Sequence, residues 1–243
     1  MPDEARRPVS AYSVSKRLSI PYETVRRHIR DLVQQGRCEA WEDGFVVPAK
    51  VFGHSRSRAE TQAVLDAVRN LVAACQAAGF QPDPAAAPSQ PMTAHHVGRL
   101  ATTYAVEGIQ LMADPLGLGV QSALVLHTIS QLNTGHIRDD PKLSKRYAAL
   151  STIPEDHERK PATVYELSRK LHLPYETARR DCMRLVDQNL LTRDAQGRLI
   201  VPQEVFARPA TVAAYKAFSD LTARFLDQVA HAPVSSEPEL VSA

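Results

Sequence analysis

The sequence predicts a mainly α fold with small β-hairpins: two copies of one helix–turn–helix–hairpin module, joined by a helical middle region. Three observations predict it. Residues 8–35 align without a gap on residues 161–188, with 13 of the 28 positions identical. Within each copy, apolar residues recur at helical spacing on either side of a proline-marked turn. Each copy then closes on two short extended segments around a turn.

The first helix of each copy begins after a small hydroxyl residue, Ser10 or Thr163, of the type that caps helix N-termini. Val14 and Leu18 give it an apolar side, matched by Val164, Leu167 and Leu171. The turn is Ser19-Ile20-Pro21 or His172-Leu173-Pro174, and proline suits a helix start because its missing N–H needs no partner there. The second helix is expected from Tyr22 to Gln35 and from Tyr175 to Gln188. Val25, Ile29, Leu32 and Val33 fall on one face, as do Ala178, Cys182, Leu185 and Val186. Gly36 or Asn189 ends it.

The hairpins are expected over Cys38–Glu42 and Phe45–Val47, and over Leu190–Asp194 and Arg198–Val201. Longer helices follow, over Ser57–Ala78 and Thr211–Val229. Residues 79–91 are rich in Pro and Ala and read as a linker. Helices are expected over 93–113 and 119–133, broken at Asp114-Pro115-Leu116-Gly117. A charged insertion, 136–160, separates the second of them from the second module. The domain plan is thus 8–78, a first module with its following helix; 79–91, linker; 92–232, helical segment with the second module; and 233–243, a disordered tail. The first copy lacks a counterpart of the two upstream helices, which leaves open a truncated start or a packing surface borrowed from a partner chain.

Whole-chain charge decides nothing: the formal net charge is +2. Its distribution does. Residues 16–30 hold five Lys/Arg against one Glu, a net +4, and residues 169–184 hold five against one Glu and one Asp, a net +3. Opposite the core stripe of the second helix stand Glu23, Arg26, Arg27 and Arg30, and in the second copy Glu176, Arg179, Arg180 and, one position further round, Arg184. The other reading of such a run is a solvated, salt-bridged face.

Helix, tight turn, helix, hairpin is the order of the winged helix-turn-helix. The string Pro21 to Val33, PYETVRRHIRDLV, resembles the recognition helix of bacterial winged helix-turn-helix transcription factors of GntR and MarR type. The resemblance covers about 45 residues in each copy. It implies a bacterial protein with two recognition helices for the major groove of double-stranded DNA; a cytoplasmic location is expected from an N-terminus, MPDEARRPVS, without an apolar core and from the lack of an apolar stretch of spanning length. It implies that Thr24 and Thr177 bond a phosphate at the helix start, with Tyr22 and Tyr175 doing the same or packing on the turn. Arg27 and Arg180 are the candidates for reading guanine; Glu23 and Glu176 accept from cytosine or orient a neighbouring arginine. In the second hairpin Arg193 and Arg198 suit phosphate contacts. The first hairpin carries Glu39, Glu42 and Asp43, which repel a phosphate backbone, and Trp41, which suits packing.

Other classes find little support. Three scattered cysteines suggest neither disulfides nor a zinc site, and Cys182 reads as a small buried hydrophobe. His95-His96 point in different directions on a helix and lack further ligands. Asp139-Asp140 and Glu155-Asp156 read as solvation rather than as an acid–base pair. Neither a Gly-rich phosphate loop nor a serine elbow occurs. The expectation is therefore a non-enzyme without cofactor, metal or membrane span. A homo-oligomer is expected through Leu100, Tyr104, Ile109 and Leu111 of the middle region. Two other functions fit the module: a plasmid-type replication initiator with tandem winged-helix domains, and a protein-interaction scaffold that has lost DNA affinity.

Overall fold

A computed structural model describes residues 3–18, 20–53, 55–87, 92–149 and 152–230. Ser19 of the first turn and the expected tail at 233–243 lie outside them. The chain is mainly helical, with two antiparallel two-stranded sheets. It divides into two compact units. One holds the described residues up to Glu107 and again from Asp220; the other is Gly108–Ser219. The division runs through two helices rather than along the 79–91 segment.

The first unit opens with α1 (Ala11–Leu18), α2 (Tyr22–Gln34), β1 (Glu39–Trp41) and β2 (Gly44–Val46), followed by α3 (Ala49–Gly53) and α4 (Ser55–Ala77). Ser10 caps α1, its hydroxyl accepting the Ser13 amide at 3.1 Å. Gly36 takes a left-handed conformation, φ 67°, where α2 ends. In the hairpin, Glu39 lies opposite Val46 and Trp41 opposite Gly44. Gly44 has no room for a side chain, because a Cβ there would stand 2.7 Å from the Val9 carbonyl oxygen. That close approach lets Val9 bond Phe45 in both directions at 3.0 Å and add a third extended segment to the hairpin.

The same unit takes the N-terminal part of α5 (Ala94–Ala113) and the C-terminal part of α11 (Pro209–Val229). Leu65, Val68, Met92, Val97, Phe225 and Val229 form its apolar cluster. Leu100 and Tyr104 pack against that cluster, Tyr104 stacked on Phe225 with ring centroids 4.5 Å apart. Both remain half-buried there.

In the second unit, a 3-10 turn at 114–116 and left-handed Gly117 turn the chain into α6 (Val120–Asp139). This helix runs six residues past its expected end. Ile137 sits one turn beyond Asn133, and both are buried, so the apolar face continues into the segment read as an insertion. After α7 (Pro141–Arg146) come α8 (Val164–Leu171), α9 (Tyr175–Asp187), β3 (Thr192–Arg193), β4 (Leu199–Ile200) and α10 (Gln203–Ala207). Thr163 and Glu166 close a reciprocal cap on α8: the Thr163 hydroxyl accepts the Glu166 amide at 3.1 Å, and the Glu166 carboxylate accepts the Thr163 amide at 2.7 Å. Asn189 ends α9 at φ 54°.

The two copies share local geometry but differ in core. In both, a serine hydroxyl on the first helix donates across the turn at 2.7 Å, Ser15 to the Ile20 carbonyl and Ser168 to the Leu173 carbonyl. In the second copy α6 packs on α8, α9 and β4. Leu167, Ala178, Cys182, Leu185 and Leu199 are fully buried there. At the matching places of the first copy only Val25 is buried, while Val14, Ile29, Leu32 and Phe45 are half-buried. Among the described residues no helix packs on α1 and α2 as α6 packs on α8 and α9, which accounts for the contrast.

The 136–160 segment does more than carry solvated charge. Arg159 is buried, with its guanidinium 4.6 Å from the Phe206 ring centre, and donates to the Val201 carbonyl at 2.9 Å and the Pro154 carbonyl at 3.0 Å. Asp140 caps α7, accepting from the Lys142 amide at 2.8 Å, and Asp156 accepts from the Gln203 amide at 2.7 Å.

Candidate nucleic-acid interface

Each second helix is aimed by its apolar side. Val25 anchors α2, and Ala178, Cys182 and Leu185 anchor α9, so the opposite face must stay in water. Pro21 and Pro174 stand at the N-caps, and their carbonyls accept from Thr24 at 2.9 Å and Ala178 at 3.1 Å. Thr24 and Thr177 are half-buried at the helix starts. Tyr22 and Tyr175 are 44% and 49% exposed, so neither is consumed by packing on the turn.

The charged face repeats closely. Arg26 pairs with Glu23 at 3.3 Å, and Arg179 with Glu176 at 3.0 Å. Each glutamate thus holds its neighbouring arginine in an ion pair. Arg26 also lies over the Tyr22 ring at 5.8 Å. Arg27, Arg30 and Arg180 are exposed, and none has an ion pair or hydrogen-bond partner among the described residues. In water such cations stay hydrated and mobile, so they are available to an anion at small desolvation cost.

Arg184 differs from the rest. It pairs at 3.4 Å with Asp181, whose buried carboxylate also accepts a short hydrogen bond from Gln121 of α6. Asp181 thus ties α9 to α6, and it draws Arg184 toward that junction. His28 occupies its place in the first copy and is exposed.

The hairpins part company. In the second, Asp194 organises the turn by accepting from the Gln196 amide at 3.0 Å, the Arg198 amide at 2.8 Å and the Arg198 guanidinium at 2.7 Å. Desolvation pushes its carboxyl pKa up, but the hydrogen bonds from Arg198 and Gln196 outweigh this and hold it below the ordinary carboxylate value. Arg193 crosses the strand pair, 3.6 Å from the Met183 sulfur, and a Cβ on Gly197 would stand 3.0 Å from its guanidinium. Between this hairpin and the α8–α9 pair lies a groove of 340 Å³. Tyr165, Tyr175, Arg179, Met183, Arg193 and Arg198 line it, three guanidinium groups and two phenols around one channel.

In the first copy, Ala40 and Gly44 stand where the repeat register places Arg193 and Arg198. Glu39 pairs with Lys50 at 2.5 Å, and Trp41 is half-buried. The basic groove therefore belongs to the second copy.

Two equivalent aromatic–cation pairs, one in each copy, are not evident from the sequence. Tyr12 and Tyr165 are 61% and 60% exposed on the first helices, with Lys16 5.6 Å and Arg169 6.0 Å from their ring centres. The identity of the two tyrosines was the available signal; their exposure was not readable from spacing, which places them beside the apolar stripe.

Among the described residues no group of three His, Cys, Asp or Glu side chains is placed to hold a metal ion, and no single helix is long and apolar enough to cross a membrane. No protein-family model, no curated protein and no solved structure matches this chain.

Proposed function

We propose that this chain is a sequence-specific, double-stranded DNA-binding transcriptional regulator of winged helix-turn-helix type, with α2 and α9 as its recognition helices. The observation that carries the reading is the twice-repeated pattern on those helices: a glutamate-steered arginine, Arg26 or Arg179, beside an unpaired exposed one, Arg27 or Arg180. A helix of this width enters the major groove, and a guanidinium fork matches the two acceptors of guanine. The second hairpin acts as the wing, laying Arg193 and Arg198 along the phosphates. The first acts through its helix, because its wing offers carboxylates.

If both copies engage, about 6–8 phosphates are neutralised, and log affinity falls with log salt at about −0.9 per phosphate. The test is genome-wide footprinting of the wild-type chain alongside Arg27→Ala and Arg180→Ala. Each change is expected to weaken specific binding by about 1–3 kcal/mol and to relax selectivity at one base position. Unaltered occupancy in both variants, or binding indifferent to salt, overturns the reading.

A further inference from the structure

The groove beside the second hairpin holds more than a duplex backbone requires. Phosphates need cations and hydrogen-bond donors, and in a duplex the faces of the bases are hidden in the stack. Yet among the described residues the exposed aromatic side chains are Tyr12, Tyr22, Tyr165 and Tyr175, at matching places in the two copies. An exposed ring is a surface on which an unpaired base of any identity stacks.

In the second copy both tyrosines line the groove, and Val164 and Met183 add apolar surface to it. Its volume of 340 Å³ is more than twice that of a cavity of roughly 150 Å³ that takes benzene, so a base with its sugar and phosphate has room. Of its three guanidinium groups, Arg179 is paired with Glu176 and Arg198 with Asp194. Arg193 touches the Met183 sulfur and has no carboxylate partner among the described residues. An uncompensated guanidinium beside exposed rings suits a phosphate that carries an aromatic base.

The first copy supplies a comparison within the chain. Tyr12 and Tyr22 are exposed there too, with Lys16 and Arg26 5.6 Å and 5.8 Å from their ring centres. Ala40 and Gly44 stand in place of the two hairpin arginines, so these rings lack a phosphate clamp in the hairpin.

We propose that the groove of the second copy receives one unpaired nucleotide, its base stacked on Tyr165 and Tyr175 and its phosphate held by Arg193 and Arg198. The same chemistry is offered by a single strand and by a free mononucleotide. The proposal rests on the DNA-binding reading only where the strand continues a duplex held by α9; occupancy by a nucleotide does not.

The test uses the full chain and a thymidine hexanucleotide carrying one fluorescent aminopurine, whose emission falls when the base stacks on a ring. Saturable quenching is expected. Tyr165→Phe keeps the ring and should bind like the wild type, whereas Tyr165→Leu should lose about five-fold or more of affinity. Both should melt as the wild type does, since this side chain is exposed. Affinity for a blunt duplex should be the same in all three. Arg193→Met should weaken hexanucleotide binding and make its salt slope shallower by about 0.7. Tyr12→Leu should leave it unchanged. Competition by deoxyadenosine monophosphate separates the two sources, and either fits the proposal: displacement at a concentration similar to the hexanucleotide's assigns the groove to a free nucleotide, displacement only at a far higher one to a strand. Absence of saturable quenching, a Tyr165→Phe loss equal to that of Tyr165→Leu, an equal Tyr165→Leu loss on blunt duplex, or an equal loss in Tyr12→Leu overturns it. None of these results bears on the footprinting of Arg27→Ala and Arg180→Ala, which reads the duplex interface alone.

Discussion

The side-chain oxygen of Asn133 accepts the Val201 amide at 3.0 Å, inside the core of the second unit. The amide nitrogen of the same residue donates to the Leu199 carbonyl at 3.0 Å and the Lys160 carbonyl at 2.8 Å. One α6 side chain thus completes the backbone hydrogen bonding along β4. Asn133→Ala leaves the Val201 amide and the Lys160 carbonyl without that partner, each costing about 1–3 kcal/mol, whereas the Leu199 carbonyl keeps the Ala162 amide at 2.9 Å. The expected loss is about 3–5 kcal/mol of the second unit's stability, read as a lowered denaturant midpoint. Amide exchange at Val201 should accelerate more than exchange at Leu199, whose amide still donates to Ala162 at 2.7 Å.

Cys182 makes a second prediction, about reactivity. Burial, reinforced by the Asp181 carboxylate beside it, pushes its thiol up to about 11 from 9.0. At pH 8 about one thiol in a thousand is then thiolate, and none is accessible. Alkylation by iodoacetamide in the native state should mark Cys38 and Cys75, both half-exposed, and spare Cys182 until the protein unfolds. The raised value also fixes a sign. The folded state holds the proton more tightly than the unfolded state, so this contribution is complete below pH 9 and is lost as pH rises toward 11. Mass spectrometry of peptides after timed labelling checks the first expectation, and melting at pH 8 against pH 10.5 checks the second.

These two residues show what was legible. Cys182 was read as a core residue from spacing alone, since its place on the α9 stripe is a local property of a 3.6-residue period. Asn133 was invisible, because its partners lie 27 to 68 positions away and no periodicity encodes them. Arg159 escaped for the same reason: within a charged run it looked solvated, and only the fold brings Phe206 and Val201 to it. At the site, the exposed arginines followed from the repeat and the apolar stripe. Asp181 did not, since a carboxylate bonded across to α6 has the same sequence appearance as a surface one. The packing of Leu100 and Tyr104 on α4 and the end of α11 was not legible, because those elements lie far from them in sequence on either side.

The unequal hairpins give the sharpest test of how DNA is held. Arg193→Ala and Arg198→Ala should each weaken binding on every sequence alike and make the salt slope shallower by about 0.9, as loss of one phosphate contact does. Glu42→Ala in the first hairpin should raise affinity modestly by removing like charge. Restoring a basic wing there has one permitted position. Gly44 cannot take arginine, with the Val9 carbonyl where its Cβ would stand, whereas Ala40 is exposed and occupies the Arg193 register. Ala40→Arg is therefore expected to steepen the salt slope by about 0.9 in anisotropy titrations across a salt series. An Ala40→Arg slope equal to that of the wild type, with Arg193→Ala still shallower, would mean that only the second copy meets phosphate.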